Sequence, residues 1–104
     1  AFFSQPAYQR LSKIITKGAD GLDLILPDGA CQSFPAFEVQ SLSSHGAGDV
    51  FVGALAAQRL AQMPWESALR YAQAAAALHV ATPRRQRSAI IPSDIEALMQ
   101  NSAL

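Results

Sequence analysis

The sequence predicts an α/β fold. Two observations carry this. The first 40 residues hold short β-branched or alternating runs cut by Gly- and Pro-containing turns, and the remainder holds apolar runs of helical length. A third, the turn signal Pro27-Asp28-Gly29 between two of the short runs, adds a hairpin, so the sheet is not purely parallel.

Residues 7–13 are ambiguous and read as the possible tail of a helix. Lys13-Ile14-Ile15-Thr16 reads as a strand, because two β-branched residues stand before the Gly-rich break Thr16-Lys17-Gly18-Ala19-Asp20-Gly21. Leu22 to Leu26 resumes with partial alternation, and Ala30 to Phe34 is the returning strand. Ala36-Phe37-Glu38-Val39 alternates in period two and predicts one more strand before the polar loop Ser41 to His45. From Gly46 the character changes: Gly46-Ala47-Gly48-Asp49 precedes a helical run from Val50 to Gln62. It is so apolar after Asp49 that its first turns are expected to be buried nearly all round. Met63-Pro64 breaks it, with Pro64 placed to open the next helix. There Glu66, Arg70 and Gln73 form one polar stripe, and Ala74 to Ala77 predict close packing. Thr82-Pro83 ends that helix, Arg84 to Arg87 read as a solvated loop, and Pro92-Ser93-Asp94 opens a last helix through Gln100.

The 104 residues are half apolar and 15% charged, with eight Lys+Arg against eight Asp+Glu. That length is one small domain at most, and the apolar content excludes a disordered segment. Zero formal charge argues against nucleic acid or an acidic membrane as partner. The charged fraction lies well below the roughly 25% of ordinary domains. Part of the surface is therefore expected to be covered by more protein, through self-association or a missing upstream portion. One cysteine, Cys31, excludes an internal disulfide and a multi-Cys zinc site, and points to a reducing, cytoplasmic compartment. Cys31 itself is expected to pack as a small hydrophobe in the hairpin. No run approaches the roughly 18 apolar residues of a membrane helix, and the first six residues lack the basic start of a signal peptide. The absent initiator Met suggests a piece of a longer chain.

Chemistry concentrates at Gly46-Ala47-Gly48-Asp49. Glycines just before a helix expose amides without intrahelical partners, which together with the helix dipole attract an anion such as phosphate. Asp49 at the same end has two readings. It is a first-turn carboxylate that stabilises the helix, or a base that accepts a hydroxyl proton while the amides hold phosphoryl oxygens. The Thr16–Gly21 loop is neither a Walker loop nor a dinucleotide fingerprint.

In combination, Thr16 to Gly21, the hairpin, Gly46-Ala47-Gly48-Asp49-Val50-Phe51-Val52-Gly53-Ala54-Leu55 and the Ala-rich run Tyr71 to Leu78 resemble the ribokinase (PfkB) family of carbohydrate kinases. The resemblance runs over roughly residues 13–98. It implies the C-terminal part of a Rossmann-like α/β/α sandwich, with residues 1–104 a partial domain lacking the sugar-binding and lid parts. It implies ATP-dependent phosphorylation of a sugar or nucleoside hydroxyl, with Mg²⁺. By matching position, Asp49 is the catalytic base. The amides of Gly46, Ala47 and Gly48 form the anion hole, and Thr16, Gly18, Gly21 and Gln73 contact ATP. Plain solvent exposure explains Gln73 equally well.

The family's Asp-Thr-Thr is here Ser43-Ser44-His45, at a monovalent-cation position. Ser43 brings no charge, and Arg84-Arg85-Gln86-Arg87 replaces small residues, which weakens the case for K⁺. His45 reads as a solvated loop residue, and His79 as a satisfied core histidine. The acceptor-binding and Mg²⁺-associated motifs are not found in these residues. The parent is therefore expected to be a sugar kinase and the isolated chain inactive. The alternative is a truncated, non-catalytic remnant that binds nucleotide at most or self-associates.

Overall fold

The computed structural model describes residues 11–43 and 45–101, which divide along the chain into two compact units, one ending at residue 36 and the other beginning at residue 37. Of the ambiguous residues 7–13, positions 7–10 lie outside the described residues.

The first unit is an antiparallel meander of β1 (Lys13–Thr16), β2 (Leu22–Ile25) and β3 (Cys31–Phe34), in that spatial order. Leu22 stands opposite Phe34, and Leu22, Leu24 and Phe34 are all buried on one face. The other face pairs Asp23 with Ser33, whose hydroxyl donates to the Asp23 carboxylate at 2.8 Å. Lys17 Nζ lies 3.1 Å from the same carboxylate oxygen. These two donors hold the Asp23 carboxyl below its ordinary range, the Ser33 bond contributing most.

Local chemistry makes both turns. Gly29 takes φ 90°, the Leu26 amide donates to Ala30 O at 2.8 Å, and Asp28 Oδ1 accepts the Ala30 amide at 2.9 Å. Between β1 and β2 a single 3₁₀ turn, Gly18–Asp20, leads into Gly21 at φ 90°. A side chain at Gly21 would place its Cβ 2.1 Å from Phe34 O, so only glycine fits. Cys31 is exposed, contrary to expectation. It shares the strand face of Ser33, on which nothing in β3 is buried; Phe34 alone in that strand is covered.

The second unit contains α1 (Ala47–Leu60), α2 (Trp65–Ala81), a 3₁₀ segment (Arg84–Ala89) and α3 (Pro92–Asn101). Residues 36–39 are not a strand. Their alternation records sidedness, but a strand also needs a neighbour to bond with, and none pairs here among the described residues. Phe37 instead anchors this stretch by its side chain. It is buried against Ala74, Ala75 and Ile95, with the Arg70 guanidinium 4.0 Å from its ring centre.

Pro64 precedes α2 as its N-cap; in the alanine run Ala74 and Ala75 are buried and Ala76 and Ala77 half-buried, and Ala68 and Ala72 before it are fully buried. The polar stripe is not simply solvated. Arg70 Nη1 donates to Gln73 Oε1 at 2.8 Å, and both side chains are half-buried. In α3, Asp94 Oδ2 reaches back to the Ile91 amide at 3.0 Å, satisfying one of the orphan donors at that helix start.

α1 departs from expectation. None of its residues is buried, and Val52 and Leu60 are 64% and 86% exposed. Val50 and Ala54 do pack against the core of this unit and Phe51 and Leu55 are half-buried, but Val52, Ala56, Ala57 and Leu60 are exposed. The helix also ends at Leu60, where Gln62 turns the chain at φ 63°.

Candidate active site

The loop before α1 is tied to the end of α2. The Leu42 amide donates to Val80 O at 2.7 Å, and the His45 amide donates to Ser43 Oγ at 3.3 Å. Gly46 follows as the N-cap of α1, in the left-handed region at φ 82°. This turn leads straight into the helix, leaving the amides of Gly46, Ala47 and Gly48 without a hydrogen-bond partner among the described residues. Apart from its chain neighbours and its own helix backbone, no described atom lies within 4 Å of where a side chain at Gly48 would begin. Asp49 is exposed in the first turn of α1. Its carboxylate has no hydrogen bond or ion pair among the described residues, so it does not fold back to seal those amides. A free acid and a row of unpaired donors thus stand side by side. Such a pairing can accept a proton and hold an anion.

The other expected site residues are described within their own units. Thr16, Gly18 and Gly21 sit together in the first unit, where Lys17 and Gly21 close the turn with a 2.8 Å backbone bond. Gln73 is in the second unit, on α2, engaged by Arg70. Ser43 and His45 are both exposed, and their contributions at this loop are a hydroxyl acceptor and backbone carbonyls.

Two residues at this loop are not apparent from sequence reasoning. Arg87, expected in a solvated loop, is half-buried. Its Nε is shared between His79 O at 2.8 Å and Thr82 O at 3.1 Å, and its Nη2 donates to Ser43 O at 3.2 Å. His79 is satisfied, as expected, but at half-buried rather than core depth; its Nε2 is 2.9 Å from His45 O. A basic residue shortly after a helix C-terminus is a recognised partner for the last carbonyls, so Arg87 carried a readable signal. His79 carried none. Arg84 and Arg85 are exposed, as expected.

Among the described residues no three His, Cys, Asp or Glu side chains gather as a metal site. Mg²⁺ is commonly held by one or two carboxylates together with nucleotide phosphates. Asp49 is the one carboxylate in the Gly46–Asp49 turn, and the described residues build no Mg²⁺ cage of their own.

Residues 8–92 match the pfkB family carbohydrate kinases. The chain belongs to this family. A 2-dehydro-3-deoxygalactonokinase from Haloferax volcanii is 33% identical over 87 residues, 84% of this chain and 27% of that protein. A ribokinase from Thermotoga maritima superposes with a TM-score of 0.76 at 31% identity, over 86% of this chain and 30% of its own. A putative ribokinase II from E. coli, solved with ATP and Mg²⁺, gives 0.77 at 27% identity, over 86% and 29%. The fold is therefore α/β and ribokinase-like, and this pfkB-family chain spans less than a third of the length of these relatives. None of its helices, among the described residues, is long and apolar enough to cross a membrane.

Proposed function

We propose that this chain is the C-terminal, phosphate-handling part of a cytoplasmic, ATP-dependent sugar kinase. The observation that carries the reading is the Asp49 carboxylate beside the amides of Gly46, Ala47 and Gly48, none of them paired among the described residues. In this reading the acceptor hydroxyl oxygen attacks the γ-phosphorus, the bond from that phosphorus to ADP breaks, and the hydroxyl proton passes to Asp49. The three amides donate to the phosphoryl oxygens as charge shifts onto them, and positioning with charge stabilisation is most of what phosphoryl transfer needs. The open space at Gly48 supports close approach of a ligand to the backbone. Thr16, Gly18 and Gly21 in the first unit, and Gln73 in the second, are read as ATP contacts by resemblance. Mg²⁺ would arrive with the nucleotide, as in the ATP- and Mg²⁺-bound E. coli relative.

The test is transfer of label from γ-labelled ATP to a panel of sugars and sugar acids that includes ribose and 2-dehydro-3-deoxygalactonate. The full-length protein labels at least one of them, and Asp49→Ala does not. Equal labelling by the variant would remove Asp49 from the chemistry.

No monovalent cation belongs to this reading. Ser43 has no carboxylate to offer one, and its carbonyl already accepts from the Arg87 guanidinium at 3.2 Å. Turnover is expected to be the same in potassium and in tetramethylammonium salts; a tenfold or greater gain in potassium would overturn this.

The short span favours a second reading for the 104 residues taken alone: they bind nucleotide at most. Calorimetry with ATP and the labelling assay, both on the isolated chain, separate the two. Acceptor labelling by the isolated chain would refute the second reading.

A further inference from the structure

We infer that His79 is a positioning residue that sets the direction of the anion-holding amides at the start of α1; this rests on the phosphotransfer reading above. The His79 Nε2 atom lies 2.9 Å from His45 O. A carbonyl oxygen only accepts, so Nε2 carries the proton in this contact. The carbonyl it grips belongs to the peptide joining His45 to Gly46, and the N–H of that same peptide is the first of the three unpartnered amides.

Turning this peptide about its flanking bonds would swing the Gly46 amide and change the left-handed φ of 82° from which α1 departs. His79 opposes that rotation from the carbonyl side. The same ring stands close over Gly46, where an added Cβ would lie 3.3 Å from Nε2. Residues 42 and 43 are held separately, by Val80 O and by Arg87 Nη2. Among the described residues, His79 is the one side chain outside the loop that bonds to the peptide adjoining the helix start. Asp49 follows three residues later on the same rigid turn, so its aim depends on the same contact.

The ring keeps its Nε2–H whether neutral in that tautomer or protonated, so the grip needs no particular charge state. Arg87 reinforces the arrangement indirectly by binding the carbonyl of His79 itself at 2.8 Å.

The experiment compares the unmodified full-length protein with His79→Phe, which keeps a ring and loses the donor, and His79→Gln, whose side-chain amide can donate to the same carbonyl. In the unmodified protein, ¹⁵N spectra of the ring are expected to show Nε2–H; a neutral ring protonated at Nδ1 alone would overturn the inference. In His79→Phe, the ¹⁵N order parameters of the Gly46 to Asp49 amides are expected to fall from about 0.85 to below about 0.6 while the rest of α1 is unchanged. In the labelling assay its kcat is expected to fall roughly 10- to 100-fold with KM for ATP held, since misplacement acts on the transition state. His79→Gln is expected to recover both. Wild-type order parameters and kcat in His79→Phe would overturn the inference, as would failure of His79→Gln to improve on it. Should His79→Phe not fold, the ring spectra and the glutamine variant decide. Order parameters and ring spectra do not depend on catalysis, so they stand even if Asp49→Ala proves fully active and the phosphotransfer reading falls.

Discussion

A side chain at position 46 would need a left-handed backbone and would stand 3.3 Å from the His79 ring. Two residues on, the chain meets no such limit, since Gly48 faces open space from within α1. The two glycines of one short motif therefore answer to different physics. The first is required by the fold, and the second is free for a ligand to approach. Gly46→Ala is expected to destabilise the protein by about 1–2 kcal/mol through its positive φ alone. Gly48→Ala, inside a helix, is expected to stabilise it by roughly 0.5–1 kcal/mol. Urea denaturation of both variants checks this; equal shifts in the same direction would contradict the assignment. His79 and Arg87 show why part of the site is invisible in the sequence. Their contacts to His45 and Ser43 cross 34 and 44 residues of chain, and nothing local marks either pairing.

Among the elements, legibility follows how local the determinants are. The hairpin can be read because Pro27, Asp28 and Gly29 carry the turn within themselves, and the structure closes it through Asp28 and the backbone of Leu26 and Ala30. The stretch 36–39 cannot, because alternation says nothing about a pairing partner and Phe37 is held by its ring instead. The break at Pro64 and the tight alanine face of α2 follow directly from residue type. The sheet also makes a testable statement about pH. Ser33 and Lys17 lower the Asp23 pKa from its ordinary 3.8, so unfolding takes up a proton at acid pH. The contribution is fully present above the unfolded value, and it is lost as pH falls through the lower folded one. Asp23→Asn is therefore expected to melt below the unmodified protein at pH 6, with the difference closing as pH drops under about 3.8. A gap that persists undiminished at the lowest pH would contradict the assignment.

At the scale of the molecule, the sparse charge and the uncovered α1 are one property seen twice. Only 15% of the residues are charged, and a helix of mostly apolar residues has none buried. Burial of apolar area contributes about 25 cal/mol per Å² wherever a partner can supply it. The chain spans 27% and 30% of the length of the Haloferax volcanii and Thermotoga maritima relatives, which leaves room in a protein of that length to provide such cover. Taken alone, the 104 residues are expected to self-associate at high concentration, with light scattering giving a mass above that of one chain. A monodisperse monomer there would show that α1 tolerates water.

In the proposed reaction one helix start divides the labour, with amides for the phosphoryl group and a carboxylate for the proton. Steady-state kinetics of Asp49→Asn in the full-length protein, paired with ATP binding by calorimetry, addresses it most directly. Turnover is expected to fall at least about 100-fold while the dissociation constant for ATP stays within a factor of three. Unchanged turnover, or a loss of ATP affinity that accounts for the whole effect, would contradict the assignment.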